Sequence, residues 1–129
     1  MADADAFLAK AEESLASAED DFANERFNSC ARGGYYAAFQ AAVAALVFAG
    51  IRSRGRWEHD FVHSQFAGIL VYRRKLYRVA FRSLLQQAFG IRANADYTEK
   101  QVHRQDVGRL LTLTRNLVQQ MTERMNGNR

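Results

Sequence analysis

The sequence predicts an all-α protein: an up-and-down antiparallel bundle of about five helices. Three observations lead there. No proline interrupts the 129 residues, and the eight glycines fall mostly near helix ends, so little punctuates hairpins. Apolar residues recur at three- and four-residue spacing through long stretches. No internal repeat or low-complexity linker divides the chain. Residues 1–129 therefore read as one domain, a size that buries roughly two-thirds of the surface its unfolded form exposes.

The first helix is predicted from Asp5 to Asp21, where Phe7, Ala11, Leu15, Ala18 and Phe22 form one face and acidic side chains the other. A break at Ala23-Asn24-Glu25-Arg26 leads to a second helix from Phe27 to Ala49, closed by Gly50 as a left-handed cap. Its eight alanines and the pair Gly33-Gly34 let neighbours approach its backbone, so it is expected at the centre. A basic loop, Ile51 to Arg56, precedes a third helix marked by Trp57, Phe61, Phe66 and Leu70, and Tyr72-Arg73-Arg74-Lys75 is either a turn or its continuation. The fourth helix is predicted from Leu76 to Ile91. A polar connection, Arg92 to Gln105, leads to a last helix that buries Val107, Leu110, Leu111, Leu117, Val118, Met121 and Met125. Residues Asn126 to Arg129 are expected to fray.

Composition narrows the class. Apolar residues make up 48% and charged residues 25%, which argues against disorder. A lone cysteine, Cys30, has no thiol partner and reads as a small core residue. Nothing asks for an oxidising compartment, and the acidic N-terminus does not resemble a signal peptide, so the expected location is the cytoplasm. The longest apolar run, Ala37 to Ile51, falls short of the roughly 20 residues that span a bilayer, so no membrane is expected. The net charge of +4 is unevenly spread: acid loads the first 25 residues, and arginines crowd the middle.

Phosphate-cradling glycine loops, metalloprotease motifs, nucleophile elbows and calcium loops are absent, and the sequence asks for no cofactor. His59 and His63, four residues apart, would share a helix face, but a metal site needs more ligands than these and no third is evident. Arg74, Arg78 and Arg82 fall four apart, putting three guanidinium groups on one stripe with Arg73 and Lys75 at its start and Tyr72 and Tyr77 flanking it for base stacking. The alternative is a solvated face partly neutralised by the acidic first helix. Arg92 offers a planar donor fork suited to phosphate. It also has a structural reading, an Arg92–Asp96 pair with Tyr97 packed on it.

The Phe27 to Phe39 segment, with Tyr35-Tyr36-Ala37-Ala38-Phe39 at its end, resembles the alanine-rich second helix of the HEPN family. His59 with Val62 and Phe66 resembles that family's third-helix start, and Arg92-Ala93-Asn94-Ala95-Asp96-Tyr97 resembles its arginine-alanine-aspartate-tyrosine element. The resemblance covers nearly the whole chain. It implies an up-and-down helical bundle, a homodimer with the arginine near the dimer cleft, and relatives that are metal-independent ribonucleases, often toxins paired with a minimal nucleotidyltransferase antitoxin. Their motif places a histidine after four to six residues beyond the arginine. Here Arg92 is followed by Tyr97, Thr98 and Glu99, and the next histidine, His103, lies eleven residues on.

Three functions follow. The first is binding of RNA or a nucleotide through a dimer cleft, with Arg92 on phosphate, Tyr97 orienting it, and Arg73, Arg74 and Arg78 adding attraction. The second is a ribonuclease that has recruited His59 or His103, with Arg92, Tyr97 and His59 as the catalytic set. The third is an interaction module that docks a nucleotidyltransferase.

Overall fold

The computed structural model describes residues 2–127. Five α-helices form an all-α bundle: α1 (Ala2–Ala23), α2 (Phe27–Phe48), α3 (His59–Gln65), α4 (Leu84–Tyr97) and α5 (Arg104–Gly127). No strand occurs among the described residues. None of their helices is long and apolar enough to cross a membrane.

Helix α2 is central, as its small residues require. An added Cβ at Gly33 would lie 3.3 Å from the Ala18 Cβ of α1, and one at Gly34 would lie 3.0 Å from Leu110 Cδ2 of α5. The two adjacent glycines therefore admit two different helices on two faces of α2. Ala31, Ala37, Ala38, Ala41, Ala42, Ala44 and Ala45 are all buried beside them, and Cys30 is fully buried, with its thiol pushed up to about 11 by burial. The chain reverses after α1 through Glu25 at φ 59° and leaves α2 through Gly50 at φ +87°, the left-handed cap its position predicts.

Beyond α2 the structure departs from the expected elements. Trp57 precedes α3 instead of opening it, with its ring edge-on to Phe7 at 6.3 Å. Helix α3 widens without a break into a π-helical segment, Phe66–Arg73. A continuous helix from Leu76 to Ile91 does not form. Lys75 takes φ 53°, Arg78 is extended, and only a 3₁₀ turn, Val79–Phe81, precedes α4. The physical cause lies in α5: Gln120 Nε2 and Arg124 Nη1 each donate to the Leu76 carbonyl at 3.2 Å, supplying from outside the bond a local helix would have made. Tyr77 and Phe81 still reach the core, and the Tyr77 hydroxyl donates to Met121 Sδ at 3.1 Å.

Helix α4 instead begins at Leu84 and runs to Tyr97, taking in the first six residues, Arg92 to Tyr97, of the expected polar connection. Ala93 and Ala95 are strong helix formers, Arg92 and Asp96 pair one turn apart, and Thr98 Oγ1 donates to the Asn94 carbonyl at 2.9 Å to close the end. Helix α5 buries every residue expected of it, and it continues through Asn126 and Gly127 where fraying was expected. Asn128 and Arg129 lie outside the described residues.

Candidate functional site

Helices α2, α3 and α4 converge on one aromatic and polar cluster. Tyr35 projects from α2 on the same face as Ala31, Ala38 and Ala42 and is fully buried. Its hydroxyl meets two imidazole nitrogens, His59 Nδ1 and His63 Nε2, the latter at 3.0 Å. These histidines stand one turn apart on α3, so both rings face the same phenol. Phe89 of α4 closes the cluster edge-on, with ring centroids 5.6 Å from Tyr35, 5.5 Å from His59 and 6.0 Å from His63.

Arg92 lies on the same rings. Its guanidinium carbon is 5.5 Å from the Tyr35 centroid and 5.1 Å from that of Tyr36. Its Nε donates to Asp96 Oδ2 at 3.3 Å, and Asp96 also accepts from Arg32 Nε of α2. The side chain is 20% exposed, and its Nη groups make no hydrogen bond among the described residues. Arg92 is thus held over two tyrosine rings and braced by one carboxylate.

Electrostatics follow from this packing. Burial pushes the Tyr35 phenol well above its ordinary value, so it stays protonated at neutral pH. Burial also lowers His63 from its usual value, and His59 beside it adds to the effect. The Arg32 hydrogen bond, followed by the charges of Arg32 and Arg92, holds the Asp96 carboxyl below the usual carboxylate range. His59, Tyr36 and Phe89 remain exposed, making this a solvent-facing surface. A groove of about 660 Å³ opens beside it between α3 and α4, lined in part by Asp60, His63, Ser64, Arg82 and Phe89.

Of the residues singled out from sequence, the structure brings Arg92 and His59 together, with Tyr35 between them. It does not bring Tyr97: that ring ends α4, is 79% exposed, and makes no hydrogen bond or ring contact with Arg92 among the described residues. The expected packing of Tyr97 on the Arg92–Asp96 pair is therefore replaced by Tyr35 and Tyr36. His103 instead lines a separate groove with Ile91, Asn94 and Asp106. The basic stripe is also absent, because Arg74, Arg78 and Arg82 do not share a helix. Arg73 ends the π-helical segment, Arg74 Nη1 donates to the Ala49 carbonyl at 3.3 Å, and Arg78 lies 5.1 Å over the Phe81 ring. None of the three shares a hydrogen bond, ion pair or ring contact with the Arg92 cluster among the described residues. Among the described residues the ion pairs of the acidic first helix go elsewhere: Asp3 pairs with Arg52, Glu19 with Arg115 of α5, and Asp20 and Asp21 with Arg26.

Among the described residues, no three histidine, cysteine or acidic side chains gather as metal ligands. Tyr35 was legible only as part of the Tyr35-Tyr36 motif, and His63 only as a metal ligand or a polar residue at a helix start or surface. The spacing of the two histidines was visible, but their shared partner, 24 and 28 residues away, was not.

No curated protein matches the chain. A model of the HEPN domain family matches residues 4–125, spanning α2, α3 and α4 and with them every residue of the cluster. The match takes in nearly the whole chain, and the protein belongs to the HEPN domain family.

Proposed function

We propose that this HEPN protein binds RNA or a nucleotide by its phosphate at the Arg92 face, within the cleft of a homodimer. The observation that carries this reading is the state of Arg92. Its Nε donates to Asp96 and its guanidinium carbon lies over the Tyr35 and Tyr36 rings, while its Nη groups make no hydrogen bond among the described residues. A guanidinium ordered in this way loses little conformational entropy on gripping phosphate. Exposed Tyr36 and Phe89 beside it offer ring faces on which bases stack. The test is RNA retention against salt concentration. Affinity should fall steeply as salt rises and collapse in Arg92→Ala, whereas salt-independent retention that survives the substitution would refute the proposal.

A second reading, metal-independent RNA cleavage at the same face, is favoured by one observation. His59 is exposed, and its Nδ1 is tied to Tyr35, leaving Nε2 to act on a substrate. Cleavage of labelled RNA in EDTA that disappears in both Arg92→Ala and His59→Ala is the expected result. Under either reading the partner is a minimal nucleotidyltransferase acting as antitoxin, and co-expression should relieve any growth defect that the wild-type chain causes alone.

A further inference from the structure

A phenol carries one hydrogen, so the Tyr35 hydroxyl can donate to only one of the two imidazole nitrogens it meets and must accept from the other. Tyr35 is fully buried, and His59 Nε2 and His63 Nδ1 make no hydrogen bond among the described residues. We propose that Tyr35 couples His59 and His63 into one proton relay, in which the state of one ring dictates the tautomer of the other.

Two neutral arrangements satisfy the bonds. In the first, His63 Nε2–H donates to Tyr35, which donates to His59 Nδ1, and both rings carry their hydrogen on Nε2. In the second, His59 Nδ1–H donates to Tyr35, which donates to His63 Nε2, and both rings carry it on Nδ1. A proton arriving at His59 Nε2 requires His59 to donate through Nδ1, which forces His63 into the Nδ1–H form. A second proton would leave both rings donating to one oxygen and the phenolic hydrogen without an acceptor. The pair therefore holds one positive charge far more readily than two. The charged and titratable groups around it are Tyr36 on α2, Asp60 on α3, Arg82 across the groove beside His63, and Arg92 with Asp96 on α4. Burial, followed by the neighbouring His59, lowers His63 from its usual value.

Its use in chemistry rests on the cleavage reading, although its existence does not. From the Nδ1–H arrangement, His59 Nε2 takes the 2′-hydroxyl proton as the 2′ oxygen bonds to phosphorus. His59 Nδ1 passes its proton to Tyr35, and Tyr35 passes its own to His63 Nε2. His63 Nδ1–H then protonates the departing 5′ oxygen as its bond to phosphorus breaks. The pair ends in the Nε2–H arrangement, and hydrolysis of the 2′,3′-cyclic phosphate by water runs the same transfers backwards and restores it.

Long-range ¹H–¹⁵N NMR of the imidazoles in the full ligand-free chain, titrated through the histidine range, tests the relay. The expected wild-type result is one shared tautomer when both rings are neutral, a switch of His63 to Nδ1–H as His59 protonates, and two steps separated by more than about one pH unit. In Tyr35→Phe the His63 tautomer should no longer follow His59 and the steps should converge. Opposite tautomers in the neutral wild type, or a His63 ring indifferent to His59, would overturn the proposal. The wild-type titration decides the matter even if Tyr35→Phe fails to fold. Coupled rings with no cleavage of RNA would keep the relay and remove the cleavage reading, while cleavage with uncoupled rings would do the reverse.

Discussion

Arg92 and the Arg73, Arg74 and Arg78 group carry the same charge on neighbouring stretches of chain, yet the protein treats them differently. Arg92 is one-fifth exposed, stacked on two tyrosines and braced by a carboxylate that a second arginine holds in place. Arg73, Arg74 and Arg78 are exposed, spread over the end of a π-helical segment and an extended stretch, and held by no carboxylate among the described residues. Oriented charge confers geometry and so selects a ligand, whereas unoriented charge contributes only a screened attraction that falls away with salt. Local charge density, which is higher around Arg73 and Arg74, is therefore a poor guide to where the fold holds an arginine in one orientation.

The largest effect expected from that contrast is on Arg92. Arg92→Ala should weaken RNA retention by at least about tenfold, because a hydrogen bond to a charged group contributes roughly 1.5–3 kcal/mol. Arg92→Lys should recover little of it, since an ammonium cannot stack and fork at once. Filter retention of labelled RNA measures both. If Arg78→Ala proves as damaging as Arg92→Ala, the distinction between the two groups collapses. Otherwise each substitution among Arg73, Arg74 and Arg78 should cost only a few-fold and reduce the salt slope by about one.

Stability offers a second comparison. Tyr35→Phe should lower unfolding free energy by about 1 kcal/mol, the net worth of a typical buried hydrogen bond, as read by denaturant titration. The pH dependence carries a definite sign. His63 is depressed in the folded chain below its ordinary value of 6.5, so the unfolded state binds more protons near that pH. Folding stability should therefore fall as pH drops from about 7 through the folded value, and His63→Gln should flatten that slope. The smallest effect belongs to Arg32→Ala, which removes one brace from Asp96 and leaves Arg92 as the other. A modest loss of RNA affinity is expected, with little change in melting temperature, because the Arg32–Asp96 pair is part-exposed.

Much of this was readable before the structure. The all-α class, the course of α1, α2 and α5, the central place of the alanine-rich helix and the Gly50 cap all follow from periodicity and from residues whose backbone needs are local. Arg92 and His59 were readable as candidates, and so was the i,i+4 spacing of the two histidines. The stretch from Leu76 to Tyr97 was not. Its pattern suits a helix from Leu76, but Gln120 and Arg124 of α5 hold the Leu76 carbonyl, shifting the start of α4 to Leu84. That shift dissolved the arginine stripe and made Arg92 a helical residue aimed at α2.

The sequence by itself determined the helical course of α1, α2 and α5, their apolar faces, and the carboxylate that stands one turn from Arg92. Those properties depend on neighbours within a turn or two. Only the tertiary structure decided that Tyr35 stands between His59 and His63, that Tyr36 takes the place beside Arg92 expected of Tyr97, and that Asp96 is shared with Arg32. Each of these joins residues on different helices, and their spacing in the chain carries no trace of the packing that brings them together.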